Sequence, residues 1–252
     1  MKSNGKSRFI VFVMLMLLVT SFCGCRQAKP SSLGSITIDE VKSYYAYSNI
    51  ESGSKEGLPV VIIIGRPVGR RESAERFVDQ FDESVLLVWC GLLNDLSGDT
   101  LVDDNTVWQG KRQDFLTQFK GYKDHFRFDE RRVYLTGFSS AGVYAWMLAY
   151  DRPNLYSGVV AMSAVSYPEQ IQQNLESSES VVTVVVRGQN DAAFPKRLAQ
   201  ERETGRVIES RNPHSKFVLK QGEDHGSIEE YWLQYLNYML QFSKPDVSPS
   251  DS

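Results

Sequence analysis

The chain has 252 residues, 42% of them hydrophobic and 23% charged, with a net charge of −3. That balance is ordinary for a globular protein, and the length suits one α/β domain or at most two small ones. There is no basic surplus to serve a nucleic-acid partner, no internal repeat, and no Cys/His spacing of the zinc type.

Residues 1–25 read as an export signal. Lys2, Lys6 and Arg8 form a positive n-region, and Phe9 to Val19 is an unbroken apolar run, short for a membrane span. The run ends in Phe22-Cys23-Gly24-Cys25. A small residue just before a cysteine at that point resembles a bacterial lipobox, which makes Cys25 the expected lipidation site. Cys23 follows bulky Phe22 and fits less well. Phe22 also departs from the leucine usual three residues before the modified cysteine. A diacylated Cys25 would hold the protein at a membrane surface. Gln27 rather than Asp at the second mature position favours, by the same resemblance, the outer membrane of a Gram-negative cell. Cleavage without lipid and an uncleaved anchor are the alternatives. Residues 26–35 read as a flexible tether, 36–243 as the folded domain, and 244–252 as a disordered tail.

Within the domain, continuous apolar runs recur at Val60–Ile64, Val85–Cys90, Val133–Thr136, Gly158–Met162, Val181–Val186 and Lys216–Leu219. Unalternating runs rich in Val and Ile predict strands buried on both faces, as in a parallel sheet. Ile36–Ser48 is strand-like and predicts an opening antiparallel hairpin at the sheet edge. Helical patterns occupy Glu72–Phe81, Asn105–Phe126, Val143–Tyr150, Ala193–Glu203 and Ile228–Phe242. Strand alternating with helix predicts a doubly wound α/β domain with a mostly parallel sheet. Cys90 falls in a strand and reads as a buried core thiol. The Ala164–Ser180 connection has room for a short helix, Glu169 to Leu175, and no cap domain.

The most informative stretch is Gly137-Phe138-Ser139-Ser140-Ala141-Gly142, between a predicted strand and a predicted helix. A serine between small residues on a strand-to-helix turn is the layout of a nucleophile elbow. The turn is tight, so the positions two before and two after the nucleophile need small side chains. Gly137 and Ala141 meet that demand for Ser139, although glycine is usual where Ala141 stands. Ser140 fails it, because Phe138 would sit two residues before.

A serine hydroxyl needs a base, and the base needs an orienting acid. In doubly wound sheets ligands bind beyond the carboxyl ends of the strands. Three histidines are available. His125 lies in a helical pattern and His214 just before a strand. His225 follows one, so it is the expected base. After the Val181–Val186 strand, in Arg187-Gly188-Gln189-Asn190-Asp191, the carboxylate is Asp191. Glu223 and Asp224, beside the histidine, are alternative acids that read more simply as solvated loop charges.

Here the chain resembles the α/β-hydrolase superfamily, whose members often carry His-Gly-x-x-Asp-x-x-Val-Pro at this point. Gly188, Asp191 and Pro195 match, while Arg187 and Phe194 replace the usual His and Val. The order Ser139, Asp191, His225 is also that family's order. The resemblance covers roughly Leu58 to Phe242 and is strongest to small esterases of the feruloyl esterase, polyhydroxybutyrate depolymerase and dienelactone hydrolase groups. It implies a serine hydrolase acting on esters, with no metal and no organic cofactor. A peptidase, or a non-catalytic lipoprotein that binds a partner or glycan, are the alternatives. An oxyanion hole would use the backbone N–H of Ser140. Its second donor, placed by the family pattern after Val60–Ile64, would be the N–H of Arg66 in Gly65-Arg66-Pro67, since proline has none. The side chains of Arg66, Arg70 and Arg71 would form either a solvated basic loop or a contact for an anionic substrate. The polar segment Leu92–Trp108 would rim an open site able to admit part of a large or polymer-linked ester, with Trp108 either a substrate contact or a core residue.

Overall fold

The computed structural model describes residues 34–48, 57–65, 77–78, 80–93, 105–164, 169–191 and 198–244. The expected signal, lipidation site, Arg66 loop and most of the Glu72–Phe81 helix lie outside them.

Eight strands form one sheet in the order β1-β2-β4-β3-β5-β6-β7-β8. β1 (Gly34–Ile38) and β2 (Val41–Tyr47) are an antiparallel hairpin at the edge, and β2 runs antiparallel to β4 (Leu86–Cys90). From β4 onward, β3 (Leu58–Ile64), β5 (Phe128–Phe138), β6 (Gly158–Met162), β7 (Val182–Gly188) and β8 (Lys216–Lys220) are parallel neighbours. β4, β6 and β7 are buried at every residue, which is why their sequences do not alternate.

The pleat divides each strand between two cores. Val60, Ile62 and Ile64 of β3 face one side, packed with residues of α1 (Asn105–His125) and α2 (Ser140–Asp151). Val61 and Ile63 face the other, with Val78, Phe81 and the apolar stripe Trp232, Leu236 and Met239 of α5 (Trp232–Met239). Helix α2 is buried from Gly142 to Tyr150, which accounts for its nearly unbroken apolar sequence. Trp108 lies in the first core, 3% exposed and edge-to-face with Tyr144 at 5.4 Å. Of its two readings, the structure places Trp108 in the core.

Two helix boundaries differ from expectation. The helix expected at Ala193–Glu203 is α4 (Leu198–Arg211) and continues eight residues further. It passes through Gly205, where a side chain would overlap Phe217 of β8, so this glycine is a packing point and not a stop. The expected Ile228–Phe242 helix is a 3₁₀ turn, Ser227–Tyr231, followed by α5. Between β6 and β7, the described residues hold only the short α3 (Glu169–Gln173) and a 3₁₀ turn, Leu175–Glu179. Among the described residues no cap domain stands over the sheet.

Candidate active site

The parallel register brings the strand ends together. Ile64 pairs with Gly137, Phe138 with Met162, Met162 with Val186, and Gly188 with Lys220. The residues that follow these ends (Gly65, Ser139, Ser163, Asp191 and His225) therefore gather at the carboxyl end of the sheet.

Ser139 sits between β5 and α2 with φ 57° and ψ −125°, a backbone conformation that costs a non-glycine residue about 1–3 kcal/mol. Two hydrogen bonds hold the strained turn. The Ser139 N–H donates to the Met162 carbonyl at 2.8 Å, and the Ser139 carbonyl accepts from Val143 N–H at 3.1 Å. A Cβ on Gly137 would overlap the Ala141 carbonyl group, and one on Gly142 would approach the Gly137 and Met162 oxygens at 2.8 and 3.0 Å. Glycine is thus required at 137 and nearly so at 142. Ala141 is accommodated because it faces Gly65, whose added Cβ would lie 3.3 Å from the Ala141 methyl. Gly65 has φ 104°, so both space and backbone hold that position to glycine.

His225 bridges the serine and the acid. Its Nε2 lies 3.1 Å from Ser139 Oγ, and its Nδ1 lies 2.8 Å from Asp191 Oδ2. The Asp191 side chain is wholly buried and that of His225 is one-third exposed. One end of the relay is therefore shielded while the other opens to solvent. The Phe138 ring meets the imidazole edge-to-face at 5.2 Å. The structure brings all three expected residues together. It keeps His125 apart, against Tyr45 and Phe126, and His214 apart, against Phe242.

The loops bearing acid and base are stitched to each other. Gln189 N–H donates to Lys220 O at 2.9 Å, Asn190 N–H to Glu223 O at 2.8 Å, and Asn190 Nδ2 to Gly222 O at 3.1 Å. Gly188 has no room for a side chain, because the Glu223 and Asp224 carbonyls pass directly over it. The two alternative acids have other partners. Asp224 Oδ1 accepts from the N–H groups of Gly226 and Ser227, both at 2.9 Å, and these bonds lower its pKa. Glu223 accepts from the Tyr231 hydroxyl, which pushes the phenol up to about 12.

Sequence reasoning missed two features here. Arg187 and Glu201 form a fully buried ion pair behind the acid loop, and the guanidinium also reaches the Asp191 carbonyl at 3.5 Å. Ser163, wholly buried with φ 47°, donates its hydroxyl to the His225 carbonyl at 2.7 Å. An arginine where the family pattern has histidine was a visible departure, but its partner lies 14 residues on in another element. Nothing in the sequence marked Ser163.

Of the expected oxyanion donors, Ser140 opens α2, so its N–H belongs to the first helical turn, whose donors have no partner within the helix. The Gly65 N–H is engaged by the Cys90 carbonyl at 3.1 Å. Arg66 lies outside the described residues.

Eight strands in this order, with a strained serine after β5, an acid after β7 and a histidine after β8, specify the architecture. It is the α/β-hydrolase fold. No family profile matches the chain, and no curated protein matches it. Solved structures do. A feruloyl esterase module from Clostridium thermocellum, complexed with sinapinate, superposes with a TM-score of 0.62 at 11% identity, covering 89% of this chain and 92% of that one. A thermostable esterase gives 0.58 at 15% identity over 85% of this chain and 63% of its own. The acylaminoacyl peptidase of Pyrococcus horikoshii gives 0.57 at 13% identity over 90% of this chain and 41% of its own. The chain thus spans under two thirds of the length of the latter two.

Proposed function

We propose that this α/β-hydrolase is a serine hydrolase cleaving carboxylic esters through Ser139, His225 and Asp191. The observation that carries the reading is the continuous relay from Ser139 Oγ through His225 to the buried Asp191 carboxylate, at 3.1 and 2.8 Å. In this reading His225 Nε2 takes the Ser139 proton as Oγ attacks the ester carbonyl. Asp191 holds the Nδ1–H tautomer and balances the imidazolium. The tetrahedral oxyanion is received by the Ser140 N–H and, on the proposal carried from the sequence, by the Arg66 N–H. Collapse transfers the proton from His225 to the leaving alcohol and leaves an acyl group on Ser139. Water, deprotonated by the same histidine, then releases the acid. No step calls on a metal or organic cofactor.

The short β6–β7 connection, with only α3 and a 3₁₀ turn among its described residues, supports an open site and a substrate that is part of a larger molecule. We further propose that the protein is exported and held at a membrane through Cys25, supported by the charged n-region, the apolar run and the Gly24-Cys25 pair. No helix among the described residues is long and apolar enough to cross a membrane.

Steady-state rates on acyl and aryl esters and on matched peptides test the activity. Ester turnover that falls at least about 10³-fold in Ser139→Ala is the expected result. Faster peptide cleavage would make the protein a peptidase. Partner or glycan binding without turnover would leave a binding lipoprotein. Radiolabelled palmitate retained in Cys23→Ser but lost in Cys25→Ser is the result expected for the anchor.

A further inference from the structure

We propose that Ser163 is a positioning residue that fixes the catalytic base, and that the Met162–Ser163 corner at the end of β6 sets the distance between nucleophile and histidine. The proposal rests on the serine-hydrolase reading and names a residue that the reading does not use.

Three observations converge on this corner. First, its two consecutive residues hold the two reacting groups. The Met162 carbonyl accepts the Ser139 N–H at 2.8 Å, and the Ser163 hydroxyl donates to the His225 carbonyl at 2.7 Å. Second, the corner is rigid. β6 is buried along its whole length, and the Ser163 N–H is itself tied to Val186 O at 2.8 Å. Third, Ser163 adopts φ 47°, a conformation that glycine takes freely and serine does not. In an extended strand the next side chain would turn to the opposite sheet face. At φ 47° the chain instead leaves the strand direction, and the hydroxyl reaches the loop that crosses the strand ends. The hydroxyl is what serine adds over a strain-free glycine, and it is spent on the base.

The need for such a tie follows from the His225 loop. His225 stands among Gly222, Asp224 and Gly226, where the chain has few side chains to pack. Asp224 shapes the turn on one side of it, and Asn190 holds Glu223. Ser163 adds a bond at His225 itself, from the same strand end that positions the nucleophile. Loss of that bond lets the imidazole drift from Ser139 Oγ while both side chains remain. A displacement of about 1 Å in such geometry costs on the order of 100-fold in rate.

The test compares Ser163→Gly and Ser163→Ala in the full-length chain purified in mild detergent. Both delete the hydroxyl, and only glycine relieves the backbone. Three readouts are taken: the rate of fluorophosphonate labelling, kcat and KM on an ester, and the low-field proton resonance of His225 Nδ1–H. The expected result is labelling and kcat lowered about 10- to 100-fold in both variants, with KM unchanged and the resonance broadened or lost. Thermal unfolding of Ser163→Gly stays close to the parent. A Ser163→Gly chain that reacts at the parent rate with its resonance intact overturns the positioning role, as does slowing confined to Ser163→Ala, which would assign the effect to backbone strain. A parent chain that does not react at all overturns the serine-hydrolase reading instead, and the resonance then decides alone whether Ser163 holds the ring.

Discussion

Ser139 is held at φ 57° by neighbours that leave no slack. Gly137 lies against the Ala141 backbone, so Gly137→Ala is expected to lower kcat/KM on an ester more than about 100-fold and to lower the melting temperature as well. Ala141→Gly removes only a methyl that faces Gly65 and is expected to leave kcat/KM within about threefold of the parent. Asp191→Asn preserves size while spoiling the tautomer, and a fall in kcat of about 10⁴-fold is expected. Much of this was legible in the sequence. Small residues around one serine, one histidine after a strand and one carboxylate in its loop are local facts that strand ends then align. Ser163 was not legible, because its role depends on a backbone angle and on a carbonyl 62 residues away.

At the scale of elements, the buried Arg187–Glu201 pair joins the end of β7 to α4 and sits directly behind Asp191. Two charges so deeply enclosed gain little net stability over an apolar pair, but stranding one is costly. Arg187→Leu alone is expected to destabilise by about 3–5 kcal/mol, a drop in melting temperature of about 10 °C or more. The double change Arg187→Met with Glu201→Leu is expected to recover most of that loss, as read by calorimetry. The strands were predictable to within a residue or two wherever they are buried on both faces, since burial there dictates unbroken Val and Ile. β5 was the exception. Its first half, Phe128–Arg132, is polar and partly exposed, so the apolar run marked only its buried end. α4 extends beyond its expected end for a reason that lies in tertiary packing. The helix runs past the expected end at Glu203 through Gly205, which packs against Phe217 of β8.

At the scale of the whole domain, the described residues form a sheet with a core on each face, and their stability has one feature open to a pH test. Lys244 leaves α5 toward the end of the described chain and donates its N–H to Arg131 O at 3.0 Å. Its ammonium is buried with no hydrogen-bond partner among the described residues. Burial lowers its pKa from the ordinary 10.5 to about 8. Between those values the unfolded chain binds more protons than the folded one, so this group makes stability rise with pH across that window. Lys244→Met is expected to raise the melting temperature at pH 7 by a few degrees, and the difference from the parent should shrink as pH climbs from 8 towards 10.5. A difference that stays constant with pH would mean that the ammonium is not the destabilising group.

The reading of the molecule as an enzyme stands on Ser139 being a nucleophile activated by His225. Intact-mass analysis of the full-length chain after fluorophosphonate treatment measures this directly. One phosphonyl adduct is expected per chain, absent in Ser139→Ala and formed at least about 10³-fold more slowly in His225→Ala. A parent chain that takes up no adduct, or an adduct that survives in Ser139→Ala, would contradict it.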